Sequence, residues 1–316
     1  MKSEWWSSVL RCPRCGGRLD VRPHLARCGA CGPYPVLGDV PVLVVDPFRY
    51  CATFHDAILA ALAEQGLAAR EVVAVVEVFA KGRSEPAQAF GDDWTAHEAS
   101  GGAAPVPVKG AATGALSTLL RVAREDGPAR WLEGRMRPVK LALEVGCGAG
   151  ERSEVLATHA ERLLVGDRSL RAVFRARSRA ARHDADVAGV VLNAEALPLK
   201  RDTLDLVVAE HVVDLLDEPF EFLDQARAAL RKRGVLLITT PEPSLGLGED
   251  DALERLAVRA KFRVQERRDG LPWLRMNSSR FVECYLVQAL ALSPSPVPRQ
   301  NPVRARIAGR GGGCGA

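Results

Sequence analysis

The chain lacks any long uninterrupted apolar run. Although 47% of its 316 residues are hydrophobic, no stretch approaches the roughly 18 to 20 apolar residues that a membrane-spanning helix needs. The first residues, Met1 to Trp6, also lack the apolar core of a secretory signal peptide. We therefore expect no membrane span and a cytoplasmic location, where the eight cysteines are not expected to form disulfides.

An excess of charge of one sign is also missing. The formal net charge is only +4, from 43 Lys and Arg against 39 Asp and Glu. This mild balance does not by itself indicate a nucleic-acid or membrane-surface ligand. The composition suits a globular protein with a full-sized core, and the length favours about two domains.

What the chain does have is a short apolar run, Leu141 to Val145, followed by three glycines at alternate positions. These are Gly146, Gly148 and Gly150, and a helix-compatible segment follows them. Glycine lets the backbone turn sharply and approach a ligand closely, because it has no Cβ. The pattern predicts a nucleotide-type pocket at the carboxyl end of a first parallel strand.

An acidic residue ends the next predicted strand. Asp167 follows the run Arg162–Gly166, and an acid about 20 positions beyond such a glycine turn can accept both hydroxyls of a ribose. The dinucleotide fingerprint GxGxxG would need glycine at position 151, where this chain has Glu151. The spacing therefore argues against NAD or FAD.

Apolar strands alternate with helical stretches over residues 139–292, which predicts an α/β fold. We expect a Rossmann-like, doubly wound, mostly parallel sheet of seven strands. Later strands of the sheet are expected at 190–192, 204–209 and 235–240, and a final antiparallel pair at 262–264 and 281–292. A helix is expected at 219–230 and a turn at 232–234. An aromatic-bearing loop at 270–275 either covers a substrate in the pocket or is buried against the sheet.

Two CxxC pairs lie near the N-terminus, Cys12 with Cys15 and Cys28 with Cys31, twelve residues apart. Each pair supplies two thiolates from one tight turn, and four such soft ligands suit a tetrahedral structural zinc. No βαβ pattern surrounds either pair, so a redox role is disfavoured. Two β-rich runs around a Gly38-Asp39 turn complete a predicted β ribbon over residues 1–48.

The cysteine pairs and the following runs Tyr34–Leu37 and Gly38–Leu43 resemble the small zinc-ribbon family that includes the activator subunit of tRNA and protein methyltransferases. Members of that family bind and stabilise methyltransferase partners, and here the partner would be fused in the same chain, although recruitment of a separate protein stays open. A ribbon also suits nucleic-acid binding. That alternative is kept open by the local arginines Arg11, Arg14, Arg18, Arg22 and Arg27.

Four elements in order resemble the class I S-adenosylmethionine-dependent methyltransferases, closest to those of quinone and natural-product biosynthesis. They are Glu144–Gly150, Asp167, Asn193–Pro198 and Leu204–Val208. The resemblance implies S-adenosylmethionine as cofactor, with Glu144 near the methionine end, Asp167 at the ribose and Asn193, commonly Asp in the family, at the adenine. The implied cofactor-binding residues are Glu144, Gly146, Cys147, Gly148, Gly150, Asp167, Arg168, Asn193, Ala194 and Glu210. Cys147 is expected to be packed rather than nucleophilic.

Chemistry is expected at the end of the predicted strand at 204–209, in Ala209-Glu210-His211-Val212. His211 is the best candidate for a general base because its ordinary pKa is near neutral, and Glu210 beside it is a second catalytic candidate; the alternative is that these side chains only line the pocket. The family's enzymes for planar nitrogens usually carry an Asn/Asp-Pro-Pro-aromatic motif here. Its absence favours O- or C-methylation.

Four segments follow from these patterns: a zinc ribbon at 1–48, a helical linker at 49–138, a methyltransferase domain at 139–292 and a disordered tail at 293–316. The linker contains predicted helices at 55–62, 67–80, 116–124 and 129–136, a Phe90–Trp94 element and a loop at 100–114. The favoured function is methylation of a small-molecule acceptor. An RNA methyltransferase and a cofactor-binding scaffold with a partner-recruiting ribbon are the alternatives.

Overall fold

The computed structural model describes residues 5–82, 115–246, 248–278 and 281–295. Every helix in these ranges is too short or too polar to cross a bilayer. The Phe90–Trp94 element, the loop at 100–114 and tail residues 296–316 lie outside the described residues, so those expectations stay predictions.

The described strands form a single mixed sheet of eleven strands. In chain order they are β1 (Leu19–Arg22), β2 (Leu25–Cys28), β3 (Gly32–Leu37), β4 (Val40–Leu43), β5 (Val139–Val145), β6 (Ala160–Asp167), β7 (Asp186–Leu192), β8 (Leu204–Glu210), β9 (Leu230–Thr240), β10 (Phe262–Ser278) and β11 (Phe281–Pro294). Their order across the sheet is β1-β2-β3-β4-β7-β6-β5-β8-β9-β11-β10. The expectation of a seven-stranded sheet is wrong, because the four N-terminal strands extend the seven expected ones.

The junction between the two parts is a parallel pairing of β4 with β7. Val42 pairs with Val191 and Leu43 with Leu192, and all four residues of β4 are buried. A sheet edge presents unpaired backbone N–H and C=O groups. Here β4 covers the edge that β7 would otherwise expose, so the ribbon strands and the α/β core share one sheet.

Helices cover the sheet on both sides. They are α1 (Pro47–Thr53), α2 (His55–Glu64), α3 (Arg70–Ala80), α4 (Ala115–Asp126), α5 (Pro128–Glu133), α6 (Glu151–Leu156), α7 (Leu170–Ala180), α8 (Pro219–Ala229) and α9 (Ala252–Arg259). Short 3₁₀ helices span Trp5–Ser8, Ala194–Ala196 and Val213–Leu215. The four helices expected in the linker are confirmed, whereas α1, which begins at Pro47 after the N-cap Asp46, was not predicted.

Alternate residues of each central strand enter different apolar clusters, as expected when successive side chains point to opposite faces. In β5, Leu143 joins the cluster that contains helices α8 and α9 and the ribbon. Its neighbour Ala142 joins the cluster that contains α1 to α3 and α5 to α7. The sheet is therefore covered on both faces, which explains why its central strands are almost wholly apolar.

Two predicted connections are wrong. The turn at 232–234 lies inside β9, where the pairing with β8 jumps from Leu204–Leu230 to Leu206–Val235 and leaves exposed basic residues bulged outward. The aromatic-bearing loop at 270–275 lies inside β10, paired with β11 through Trp273 and Tyr285. Both segments contain turn-type residues, but pairing with a long neighbouring strand overrides that local preference.

Candidate cofactor and metal sites

The glycine turn follows β5 directly and uses backbone conformations that favour glycine. Gly146 and Gly150 have φ angles of +73° and +82°. A Cβ added at Gly146 would lie 2.3 Å from Val212 Cγ2, and one added at Gly150 would lie 2.5 Å from the Cα of Ala176. Glycine is required at both positions for conformation and for space.

Asp167, at the end of β6, joins this turn to the next connection. Its carboxylate accepts a hydrogen bond from Gly148 N at 3.0 Å and another from Ser169 N at 2.9 Å. Asp167 therefore lies against the glycine turn. This position is expected if Asp167 and the turn contact the same ligand.

The connection after β6 is also held by a residue that sequence reasoning missed. Tyr50, buried on α1, donates a hydrogen bond from its hydroxyl to the carbonyl oxygen of Arg168 at 2.8 Å. The two residues are 118 positions apart, so no local pattern could have linked them. Through Tyr50 the helices that follow the ribbon support the backbone next to Asp167.

Asn193 follows β7 and caps the short 3₁₀ helix that begins at Ala194. Its side-chain oxygen accepts a hydrogen bond from Glu195 N at 3.2 Å. Glu195 in turn accepts a hydrogen bond from the backbone of Glu218 at 2.7 Å. Asn193 thus lies at the carboxyl edge of the sheet, one strand beyond Asp167.

A buried polar network lies on the other side of the glycine turn. Ser153 donates a short hydrogen bond to the carboxylate of Glu144, which is 2% exposed. Arg152 donates from Nε to Glu210 Oε2 at 3.0 Å and from Nη2 to Oε1 at 3.3 Å. Both carboxylate oxygens of Glu210 therefore accept hydrogen bonds from one guanidinium. The position of Glu210 at the end of a predicted strand does not indicate this interaction.

Burial raises the pKa of Glu144 to about 8, and the nearby Glu210 carboxylate adds to the rise while the Ser153 hydrogen bond opposes it. At pH values between the ordinary pKa and the raised one, Glu144 is protonated in the folded chain and ionised in the unfolded chain. This contribution to stability is complete at acidic pH and is lost as the pH rises through the folded-state pKa.

We therefore expect the free energy of unfolding to decrease between about pH 5 and pH 8, and Glu144→Gln to remove part of that slope because it cannot ionise. Urea unfolding at several pH values, with and without the substitution, measures the difference. Parallel stability profiles for the two proteins would show that Glu144 does not titrate in this way.

His211 lies directly after β8 with a left-handed φ of +56°. Its ring packs edge-on against Trp273, with centroids 4.0 Å apart, and its Nε2 atom is buried without a hydrogen-bond partner among the described residues. Burial lowers the pKa of His211, although the carboxylates of Glu210 and Asp214 oppose the change. The lowered pKa favours the neutral form of the imidazole.

The other residues singled out have structural surroundings. Cys147 is 4% exposed and burial raises its pKa well above the ordinary value, which fits packing rather than nucleophilic chemistry. Asp205 accepts hydrogen bonds from Leu141 N at 3.0 Å and from Arg231 at 2.5 Å. It lies near the start of β8 and ties β8 to β5.

The four N-terminal cysteines come together at one end of the ribbon. The sulfur atoms of Cys12, Cys15, Cys28 and Cys31 all lie within 4.8 Å of one another, and Tyr34 Oη lies 3.2 Å from Cys12 Sγ. Four thiolates at this separation fit a closed tetrahedral zinc site.

The part of the chain that contains the glycine turn and Asp167 is similar to known proteins. Residues 143–238 match the family model described as a methyltransferase domain. This match and the curated relatives support a class I, S-adenosylmethionine-dependent methyltransferase domain in this part of the chain.

Two curated relatives illustrate the likeness. A probable S-adenosylmethionine-dependent methyltransferase of Mycobacterium tuberculosis is 32% identical over 99 residues, which cover 31% of this chain and 35% of the relative. A ubiquinone biosynthesis O-methyltransferase of Parvibaculum lavamentivorans is 29% identical over 98 residues, covering 31% of this chain and 39% of the relative. The chain thus spans less than two fifths of the length of each.

Among solved structures, an S-adenosylmethionine dependent methyltransferase from Mesorhizobium loti aligns with a TM-score of 0.42 and 13% identity. The alignment covers 54% of this chain and 99% of that one.

Proposed function

We propose that this protein is an S-adenosylmethionine-dependent methyltransferase that transfers a methyl group to an oxygen or carbon of a small molecule. The observation that carries the proposal is the contact between the glycine turn and the acid of the next strand, Gly148 N to Asp167 Oδ2. It supports a single ligand lying across β5 and β6. GxGxG spacing and the matched domain point to this cofactor rather than to a dinucleotide.

We assign the adenine to Asn193 and Ala194, the ribose hydroxyls to Asp167 with the adjoining Arg168 backbone, and the methionine end to the region of Glu144 and Glu210. Gly146, Cys147, Gly148 and Gly150 would supply the backbone surface. The cofactor, when bound, supplies an activated methyl group on a sulfonium. The protein must then align the acceptor, exclude water and remove a proton where the acceptor is a hydroxyl or carbon acid.

His211 is our candidate for the proton acceptor. Its neutral ring, its unpartnered Nε2 atom and its place beside Trp273 at the end of β8 support this role. Glu210 is less suited, because both of its oxygens already accept hydrogen bonds from Arg152. We therefore assign Glu210 to positioning Arg152 rather than to proton transfer.

The absence of an Asn/Asp-Pro-Pro-aromatic sequence in Ala209–Val212 supports an oxygen or carbon acceptor over a planar nitrogen. One relative is named as an O-methyltransferase of ubiquinone biosynthesis. For this reason a small aromatic acceptor is the first class of substrate to test. The comparisons give no support to the RNA alternative.

For the N-terminal segment we propose a structural zinc held by Cys12, Cys15, Cys28 and Cys31, and an intramolecular supporting role. Arg11 N donates to Pro198 O and Lys200 N donates to Val9 O, each at 2.8 Å. These bonds join the residues before Cys12 to the end of the segment that begins at Asn193. The ribbon would thus hold the adenine side of the cofactor site.

Methyl transfer can be tested with cofactor labelled on its methyl group and small-molecule and RNA fractions of a cell extract. We expect label in the small-molecule fraction, and we expect His211→Gln to lower the rate by about a hundredfold or more while S-adenosylhomocysteine affinity is retained. His159→Gln, at the opposite edge of the sheet, is the matched control. Label confined to RNA, or a His211→Gln enzyme as fast as wild type, would contradict this proposal.

A further inference from the structure

The ion pair of Arg152 and Glu210 has no task in the recognition of adenine, ribose or acceptor described above. It is nevertheless unusually enclosed for two charged groups, since the side chain of Arg152 is 9% exposed and that of Glu210 is 24% exposed. Removing a guanidinium and a carboxylate from water is unfavourable, so a buried pair is weak evidence for a gain in stability. A role in binding offers a reason for placing this pair at the carboxyl edge.

Its position follows from the order of the strands. Asn193 comes after β7, Asp167 ends β6, the glycine turn follows β5 and Glu210 ends β8, and these four strands are consecutive neighbours in the sheet. With the adenine and ribose assigned to the ends of β7 and β6, the amino-acid end of the cofactor must extend toward β5 and β8. It therefore reaches the region where Arg152 meets Glu210.

The guanidinium is held in one orientation and still has donors to offer. Nε and Nη2 are used by Glu210, whereas Nη1 makes no hydrogen bond with any described residue. A planar guanidinium whose orientation is fixed by two hydrogen bonds is suited to bind a carboxylate. Glu144 is hydrogen-bonded to Ser153 instead, so it does not compete for the guanidinium through a hydrogen bond.

We propose that Arg152 binds the carboxylate of the amino-acid end of the cofactor, and that Glu210 is a positioning residue that holds the guanidinium for this contact. This inference rests on the proposed function. It makes Arg152 a determinant of ligand specificity: ligands with the amino-acid end are preferred to adenosine thioethers that lack it.

Two ligands separate this role from a merely structural one. S-adenosylhomocysteine carries the amino-acid end, and 5′-methylthioadenosine shares the adenosine and the thioether but lacks the amino and carboxyl groups. Isothermal titration calorimetry should show that Arg152→Gln weakens S-adenosylhomocysteine binding by about ten- to a hundredfold, the range for a lost charge-assisted hydrogen bond. Binding of 5′-methylthioadenosine to the same variant should be unchanged.

Arg179→Gln is the matched control, because Arg179 also lies beside the glycine turn, where it donates to Ala149 O at 2.9 Å. We expect it to leave the ratio of the two affinities unchanged. Equal weakening of both ligands by Arg152→Gln, or no weakening of either, would overturn the assignment. If wild-type protein bound neither ligand, the proposed function itself would fail.

A measurement on the wild-type protein covers the case in which Arg152→Gln does not fold. Decarboxylated S-adenosylhomocysteine keeps the amino group and lacks only the carboxylate. We expect it to bind the wild-type protein at least about tenfold more weakly than S-adenosylhomocysteine. Equal affinities of the two would exclude a carboxylate contact.

Discussion

Replacement of Asp167 by alanine is expected to weaken binding of S-adenosylhomocysteine by at least about a hundredfold, since hydrogen bonds to a charged group contribute about 1.5 to 3 kcal/mol each. Two such bonds to the ribose would be lost. The substitution would also free Gly148 N and Ser169 N, which the carboxylate now holds at 3.0 and 2.9 Å. Calorimetric titration of wild type and variant measures the effect.

Asp205→Ala is the matched control for that experiment. Asp205 also accepts a backbone hydrogen bond and pairs with an arginine, but it lies near the opposite end of the strands from the candidate site. We expect its loss to reduce stability and to leave affinity for S-adenosylhomocysteine within a few fold. An Asp167→Ala protein that binds as wild type does, or an equal loss in Asp205→Ala, would refute the ribose assignment.

The second large effect is expected from Cys12→Ser. Wild-type protein should carry close to one zinc per chain, and the variant should lose the metal because a structural site needs all four ligands. The melting temperature should fall by many degrees, since metal binding to such a site contributes folding free energy directly. Metal analysis and thermal unfolding are the measurements.

The zinc experiment also tests the link between the ribbon and the cofactor site. Because residues 9–11 bond to residues 198–200, Cys12→Ser should weaken S-adenosylhomocysteine binding as well. Cys284→Ser, at an exposed cysteine of β11, should change neither metal content nor affinity. A Cys12→Ser protein that keeps its zinc and its melting temperature would rule out the four-cysteine site.

Features that depend on residues close together in the chain are predictable from the sequence. The three glycines need positive φ or close approach, the strand runs are apolar because both faces of the sheet are covered, and the CxxC spacing brings two thiolates into each turn. These signals located the carboxyl edge of β5, Asp167 beside it and the four clustered cysteines. The hairpin of β3 and β4 was also visible in its Gly38-Asp39 turn.

Features that depend on distant pairing were not predictable. A short apolar strand such as β4 has the same pattern whether it ends a separate ribbon or extends another sheet, so its parallel pairing with β7 could not be inferred. Arg152 and Glu210 are 58 positions apart, and the only local hint is an arginine two residues after the last glycine of the turn. Gly270 and Pro272, which both precede Trp273, favour a loop here, yet residues 271–275 pair with β11.

Binding of S-adenosylmethionine by the site that contains Gly146–Gly150 and Asp167 can be tested by titrating the wild-type protein with S-adenosylhomocysteine and, separately, with NAD in a calorimeter. We expect one S-adenosylhomocysteine bound per chain and no binding of NAD. Absence of S-adenosylhomocysteine binding by folded, zinc-loaded protein, or binding of NAD at the same site, would contradict the proposed S-adenosylmethionine site.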